Sequence, residues 1–138
     1  MDSVRIRNYK KDDYTSVKEI LIEGGLFEET WDVEERLGKR VIARPESILI
    51  AMINDEVIGC VYLIDDIFPL IFRLAVKKQF RKQGIGKMLI DEAIKRLKEY
   101  GHQEIALLVD NNDEELKKWY HKQGFKKGTE LICLWKEI

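Results

Sequence analysis

The segment from Lys77 to Lys87 joins an apolar, strand-like run to a stretch whose Ile85, Met88, Leu89, Ala93, Leu97 and Tyr100 recur at helical spacing before Gly101. That order commits the middle of the chain to strand, turn and helix. The turn carries Lys77, Lys78, Arg81, Lys82 and Lys87 with no acidic residue, which makes it the most basic stretch of the sequence. The start of a helix adds unpaired N–H groups and the positive end of the helix dipole, and both favour an anion. Gly84 and Gly86 let the backbone approach closely, so the arrangement suits a pyrophosphate, with Lys and Arg available for further phosphates. A basic surface turn with glycines at a tight corner has the same composition, and the turn alone does not separate the two. Two nucleotide motifs fail. A Walker A loop needs Ser or Thr after Gly86-Lys87, where Met88 stands, and a dinucleotide fingerprint wants a third glycine at Leu89.

The remaining elements follow from hydrophobic period and punctuation. Val4 to Asn8 alternates as a short strand does, and Asp12 or Asp13 can cap a helix carrying Val17, Ile20 and Leu21 that ends at Gly24-Gly25. A second helix is expected from about Thr30 to Val41, stopped by Arg44-Pro45. Ile48 to Ile53 and Val57 to Ile64 read as a hairpin across Asn54-Asp55-Glu56, and Ile67 to Val76 reads as a central strand that starts after Pro69 or bulges near it. Glu104 to Val109 reads as a strand. Asn112 or Asp113 can cap a helix with Leu116, Trp119 and Tyr120 that stops at Gly124, and Thr129 to Lys136 reads as the final strand. The class is α/β, a mixed sheet around a central βαβ.

With 138 residues, 45% hydrophobic and 36% charged, the chain has room for one core, so residues 1–138 are expected to form a single domain with its active site in a cleft. A net charge of -1 gives no overall attraction to nucleic acid, and no such partner is expected. The longest apolar run, Ile67 to Phe72, contains Pro69 and falls far short of the roughly 20 residues that cross a bilayer. The first residues lack the apolar core of a secretory signal, so a cytoplasmic location without membrane contact is expected. Cys60 and Cys133 stand far apart in apolar runs with no Cys/His cluster, and read as buried free thiols with no metal.

Arg81-x-x-Gly84-x-Gly86 after an apolar strand resembles the Arg/Gln-x-x-Gly-x-Gly/Ala signature of the GNAT superfamily of acetyl-CoA-dependent N-acetyltransferases. Further on, Trp119-Tyr120-His121-Lys122-Gln123-Gly124-Phe125 resembles the closing helix motif of that family, in which a Tyr precedes Gly-Phe by four positions. The resemblance covers essentially the whole chain. It implies a mixed, mostly antiparallel sheet of about six to seven strands with about four helices and a splayed central parallel pair. The pantetheine arm of acetyl-CoA would enter between Leu74 to Val76 and Leu107 to Asp110. It further implies that backbone groups of Leu74, Ala75 and Val76 hold the pantetheine and thioester, and that Arg81, Lys82, Gln83, Gly84, Ile85, Gly86 and Lys87 hold the pyrophosphate. Tyr120 falls on the general-acid position, where a phenol protonates the departing thiolate; by spacing alone, Trp119 and Tyr120 also suit a helix core.

The sequence departs from the family in two places. The Glu that many members carry early in the central strand as a proton acceptor aligns with Phe68, leaving Asp65, Asp66, Glu28, Glu29 or ordered water for that task. The Asn that often opens the last helix is Asp113, and a one-residue shift would let Asn112 take its place at the cofactor. The short tail after Gly124 implies abbreviated final strands and a more open acceptor cleft.

Between Glu19 and Glu35 the chain has seven acids, Glu19, Glu23, Glu28, Glu29, Asp32, Glu34 and Glu35, with no Lys or Arg on the side where the family binds its acceptor. An acidic wall there would attract a cationic amine, and a solvated helix face would have the same composition. Arg73, polar within an apolar strand, could bind an acceptor carboxylate or pair with Asp65 or Asp66. Phe27, Glu28, Glu29, Asp66 and Arg73 are the candidate acceptor contacts. The expected activity is acetyl transfer to a primary amine of a small molecule, protein or peptide by direct attack in a ternary complex. A non-catalytic acyl-CoA sensor or partner subunit of the same fold is the alternative, and either would be a monomer or a homodimer.

Overall fold

A computed structural model describes residues 3–138. Strands β1 (Val4–Asn8), β2 (Ile48–Ile53), β3 (Glu56–Ile64) and β4 (Leu70–Val76) form one antiparallel sheet in that spatial order. Helices α1 (Tyr14–Glu23) and α2 (Glu34–Ala43) separate β1 from β2, and α3 (Ile85–Glu99) and α4 (Glu114–Lys122) follow β4. The chain divides into two compact units, one ending at Leu108 and one beginning at Val109.

In the first unit both faces of the sheet are covered, which explains why β2 is apolar at every position despite its antiparallel neighbours. Ile48, Ile50 and Met52 join Val17, Ile20 and Leu21 of α1 and Leu37 of α2 in one layer, whereas Leu49 and Ala51 alternate to the other side. Gly59 sits on that second side, because its neighbour Cys60 belongs to the first layer. A Cβ at Gly59 would stand 3.2 Å from Leu89 Cδ1 of α3 and 3.1 Å from the Ala75 carbonyl oxygen. The missing side chain lets α3 sit directly on the β3–β4 ladder.

Asp13 opens α1, as its place in the sequence suggests, but its carboxylate does not cap the helix. It turns back to accept from the Lys10 N–H at 2.7 Å and pairs with Arg7 at 2.7 Å. Helix α2 starts at Glu34 rather than Thr30, because residues 28–32 are held in a hydrogen-bonded loop of their own. On α3 the buried face is Ile85, Leu89, Ile90, Ala93 and Leu97, while Met88 and Tyr100 stay exposed. Cys60 is buried and its thiol is pushed up to about 12 by burial, whereas Cys133 is exposed, contrary to the expectation that both thiols are inside.

The sheet has four strands among the described residues, not six to seven. Residues 104–109 make a single parallel bridge, Leu70 to Ala106, with the Ile71 N–H donating to the Ala106 carbonyl and the Ala106 N–H to that of Pro69. The pairing stops there because β4 changes course three residues later. Arg73 adopts φ 55, and Arg73 and Leu74 together oppose Val61, an extra residue that bends the strand. Thr129 to Lys136 is not a strand. Its apolar Leu131, Ile132, Leu134 and Trp135 are exposed, and with no ladder to satisfy its backbone the alternation cannot make a strand.

Candidate active site

The bulge in β4 decides which backbone groups face the open edge of the sheet. The Lys77 N–H donates to the Ile58 carbonyl, so the peptide groups of Val76, one position back, point away from β3. Ala75 pairs with Cys60 and its side chain is buried in the core. Without the extra residue at Arg73, Leu74 would face β3 instead, and the two sites next to the open edge would exchange roles. The Val76 carbonyl accepts from Arg81 Nε at 2.9 Å.

After Val76 the chain makes a 3₁₀ turn at Lys78–Phe80 and reaches α3 through two left-handed residues, Lys82 at φ 62 and Gly84 at φ 83. Gly84 opens α3 with no side-chain cap, which leaves the first helical N–H groups at residues 85–87 directed at whatever binds there. Ile85, 1% exposed, anchors the start of the helix in the core. Lys82, Gln83, Gly84 and Lys87 are exposed. Part of the positive charge is already used: Lys77 pairs with Glu56 at 3.0 Å, Lys87 with Asp91, and Arg81 reaches Glu23 at 3.9 Å. Lys78 and Lys82 make no ion pair among the described residues, although the Lys78 N–H donates to the Glu23 carboxylate. Residues 74–76 and 81–87 therefore form one continuous strand edge, turn and helix start, and its donor set of N–H groups with Lys and Arg suits a polyphosphate. Glu23, Glu56 and Asp91 are the carboxylates that pair with this segment. A small cleft beside the turn is lined by Glu19, Ile20, Glu23, Lys77 and Gln79.

The residues expected to face the acceptor behave differently. Asp32, counted in the acidic run, is 1% exposed and is removed from any solvent-facing wall. Its carboxylate accepts from the Glu28 N–H at 2.9 Å, from the Tyr62 hydroxyl at 3.0 Å and from Arg73 Nε at 3.2 and 3.3 Å. Arg73 Nη2 lies 3.1 Å from Asp32 Oδ2, off the hydrogen-bond line, so that contact is ionic. The guanidinium also lies over Phe72, 4.5 Å from its ring centre, and over Trp31 at 5.4 Å. Burial and the hydrogen bond to Asp32 push the Tyr62 phenol far above its ordinary range. Arg73 thus pairs with neither Asp65 nor Asp66. Asp65 binds His102 at 2.6 Å and Arg44 at 3.2 Å, and Asp66 caps the Ile67 N–H. Phe27 is half-buried beneath Lys18, 5.2 Å from its ring centre, and Glu28 and Glu29 are exposed. Phe68, where the sequence resemblance would place the family Glu, is exposed and precedes β4.

The sequence marks Arg73 as a candidate site residue but does not reveal Asp32 and Tyr62 as its partners. A signal for them exists: an arginine inside an apolar strand needs a buried counter-charge, and Asp32 of the acidic run lies between apolar Trp31 and Val33.

In the second unit Tyr120 is 8% exposed, packed edge-on against Trp119 at 4.9 Å and Phe125 at 5.6 Å between ring centres. Gly124 at φ 95 ends α4, and the Phe125 N–H returns to the Tyr120 carbonyl at 3.1 Å, which brings the two rings together. Burial pushes the Tyr120 phenol up to about 12. Asp113 caps α4 through the Leu116 N–H at 3.0 Å, so Asn112 lies one residue outside the helix and is exposed. Among the described residues no cluster of His, Cys, Asp or Glu could hold a metal, and no helix is long and apolar enough to cross a membrane.

The acetyltransferase (GNAT) family matches residues 5–125. A protein of Schizosaccharomyces pombe named N-alpha-acetyltransferase 30 is 32% identical over 93 residues, covering 63% of this chain and 62% of that protein. The human protein of the same name is 28% identical over 94 residues, which cover 64% of this chain and 26% of its own length. The chain thus spans less than two thirds of these relatives. Among solved structures, the PaiA N-acetyltransferase of Thermoplasma acidophilum in complex with coenzyme A is 26% identical with a TM-score of 0.79, covering 93% of both chains. Ard1 from Thermoplasma volcanium has the same fold, at a TM-score of 0.81 and 22% identity over 91% of this chain and 84% of that one. A match across most of the chain, over a sheet, turn and helix start of this geometry, makes the protein a member of the GNAT family of acetyltransferases.

Proposed function

We propose that the whole chain acts as one N-acetyltransferase domain that moves the acetyl group of acetyl-CoA to a primary amine, most favourably the N-terminus of a protein or peptide. The observation that carries this reading is the continuous unit of open-edge peptide groups at Val76, left-handed turn and uncapped α3 start. It offers main-chain donors for the pantetheine, the thioester carbonyl and the pyrophosphate in one path. The solved relative that carries coenzyme A supports the choice of cofactor, and the relatives named N-alpha-acetyltransferase 30 support the choice of acceptor. Exposed Glu28 and Glu29 beside half-buried Phe27 suit a cationic amine on a peptide. The charge of Arg73, which a carboxylate-bearing acceptor would need, is taken by Asp32.

In the proposed reaction the neutral amine attacks the thioester carbon, the new C–N bond forms, and the C–S bond breaks. Main-chain N–H groups at the β4 edge stabilise the developing oxyanion, and alignment of the two substrates supplies most of the rate. Tyr120, by its place in the closing motif, gives its proton to the departing thiolate. The proton of the attacking amine leaves to solvent or to a carboxylate of the 26–33 loop, because Phe68 offers no base, and a proton from solvent restores the Tyr120 phenol.

Release of free CoA thiol from acetyl-CoA, measured across N-terminal peptides, lysine peptides, polyamines and amino acids, tests this reading. Peptide N-termini are expected to be the fastest acceptors. No acetyl-CoA binding at millimolar concentration would contradict it. Tyr120→Phe is expected to lower the transfer rate about 100-fold while leaving acetyl-CoA affinity unchanged. Because burial holds the phenol near 12, Tyr120 stays protonated, and the wild-type rate should show no loss from its ionisation below about pH 10.

A further inference from the structure

We infer that Asp32 and Arg73 form a positioning pair that holds the β4 bulge in place and thereby aligns the acceptor loop with the cofactor edge. The inference rests on the acetyltransferase reading above and adds to it the device that sets the alignment. A non-glycine residue at φ 55 inside a strand is strained and persists only where its surroundings hold it. At Arg73 they do so from both ends. Its guanidinium is fixed by Asp32 and stacked on Phe72 and Trp31, and its carbonyl accepts from the Cys60 thiol at 3.6 Å.

Asp32 is fixed just as firmly. Besides the Glu28 N–H and the Tyr62 hydroxyl on its carboxylate, its own carbonyl accepts from the Tyr14 hydroxyl at 3.0 Å. The pair thus ties residues 28–32 to β4 at the residue just before Leu74. If Arg73 relaxed to an extended conformation, the extra residue would disappear from the ladder. Leu74 would then turn toward β3, and Val76 would no longer face the open edge. The uncapped α3 start at residues 85–87 is anchored by buried Ile85 and would still hold the pyrophosphate, so although the pantetheine loses its groups at Val76, cofactor affinity should change less than turnover.

The test compares three variants in the full chain. D32N removes the counter-charge. D32N/R73N removes both charges and places at 73 a residue that tolerates a left-handed backbone, whereas D32N/R73V places there one that does not. D32N is expected to lower kcat about 100-fold and raise the acceptor KM, with acetyl-CoA affinity changed less than about five-fold. D32N/R73N should recover about ten-fold of that loss, and D32N/R73V none. Amide exchange at Ala75 and Lys77, whose N–H groups face β3 only while the bulge is in place, should rise in D32N and fall back in D32N/R73N, measured without acetyl-CoA.

Unchanged kcat and KM in D32N would overturn the inference, as would equal losses in the two double variants. If D32N/R73V does not fold, D32N against D32N/R73N decides: recovery supports the pair, and no recovery overturns it. A wild-type protein that transfers no acetyl group would overturn the enzymatic reading instead. In that case the exchange comparison still judges whether the pair holds the bulge.

Discussion

The turn at residues 77–87 follows the last residue of β4, the loop at residues 26–33 is tied to the middle of that strand at Phe72 and Arg73, and the two are built on opposite principles. The turn is exposed from Arg81 to Gly84, left-handed at Lys82 and Gly84, and offers main-chain groups, so apart from buried Ile85 it depends little on any single side chain. The loop is fixed by side chains, above all by Asp32 at 1% exposure with its partners on β3 and β4. A cofactor shared by many relatives can be met by backbone that any sequence supplies, provided glycine stands where φ must be positive. An acceptor particular to one protein has to be met by side chains, and the frame that holds them must then be rigid.

The largest effect should come from the loop. Asp32→Ala leaves Arg73 buried without its counter-charge and is expected to cost about 3–5 kcal/mol, read as a loss in urea-unfolding stability. A loss under about 1 kcal/mol would mean that the network is not rigid and would erase the contrast between the regions.

The Arg7–Asp13 pair sharpens the contrast, because it is a second ion pair with one partner closer to water. Asp13→Asn should cost about 2–3 kcal/mol near neutral pH, below a fully buried pair. Burial alone would raise the Asp13 pKa, but the Arg7 hydrogen bond and the Lys10 N–H outweigh it and hold the carboxylate below its ordinary 3.8. A lowered folded-state pKa contributes stability that is present above the unfolded value and lost as pH falls through the folded one. Wild-type melting temperature should therefore drop below about pH 4, and Asp13→Asn should flatten that part of the profile.

In the turn, Gly84→Ala meets no atom within 4 Å, so its cost is the left-handed backbone alone, about 1–2 kcal/mol. The expected signature is weaker acetyl-CoA binding with kcat nearly kept. Lys82→Ala should be the mildest change, about two-fold in acetyl-CoA affinity at physiological salt, and larger at low salt. A loss at Lys82 as large as that at Asp32 would show that the turn works through side chains after all.

Much of this frame is legible in the sequence, for reasons that are local. Gly84 before Ile85 marks a left-handed entry to α3, Pro69 delays β4 to Leu70, and Gly124-Phe125 closes α4 onto Tyr120. What is not legible depends on partners distant in sequence. Asp32 looks like one more acid in an acidic run, and only Arg73, 41 residues away, makes it a buried one. Residues 104–109 and 129–136 have the composition of strands, yet pairing depends on the edge they meet. The β4 edge is bent by a bulge whose cause, an arginine at φ 55, no propensity signals.

Amide hydrogen exchange of the wild-type protein with and without saturating acetyl-CoA decides whether the β4 edge and the turn form the cofactor site. Acetyl-CoA is expected to protect Leu74, Val76 and residues 82–87, with little change at residues 28–32, which are already held by Asp32. Protection confined to other segments, or none at the β4 edge while acetyl-CoA is bound, would contradict that assignment.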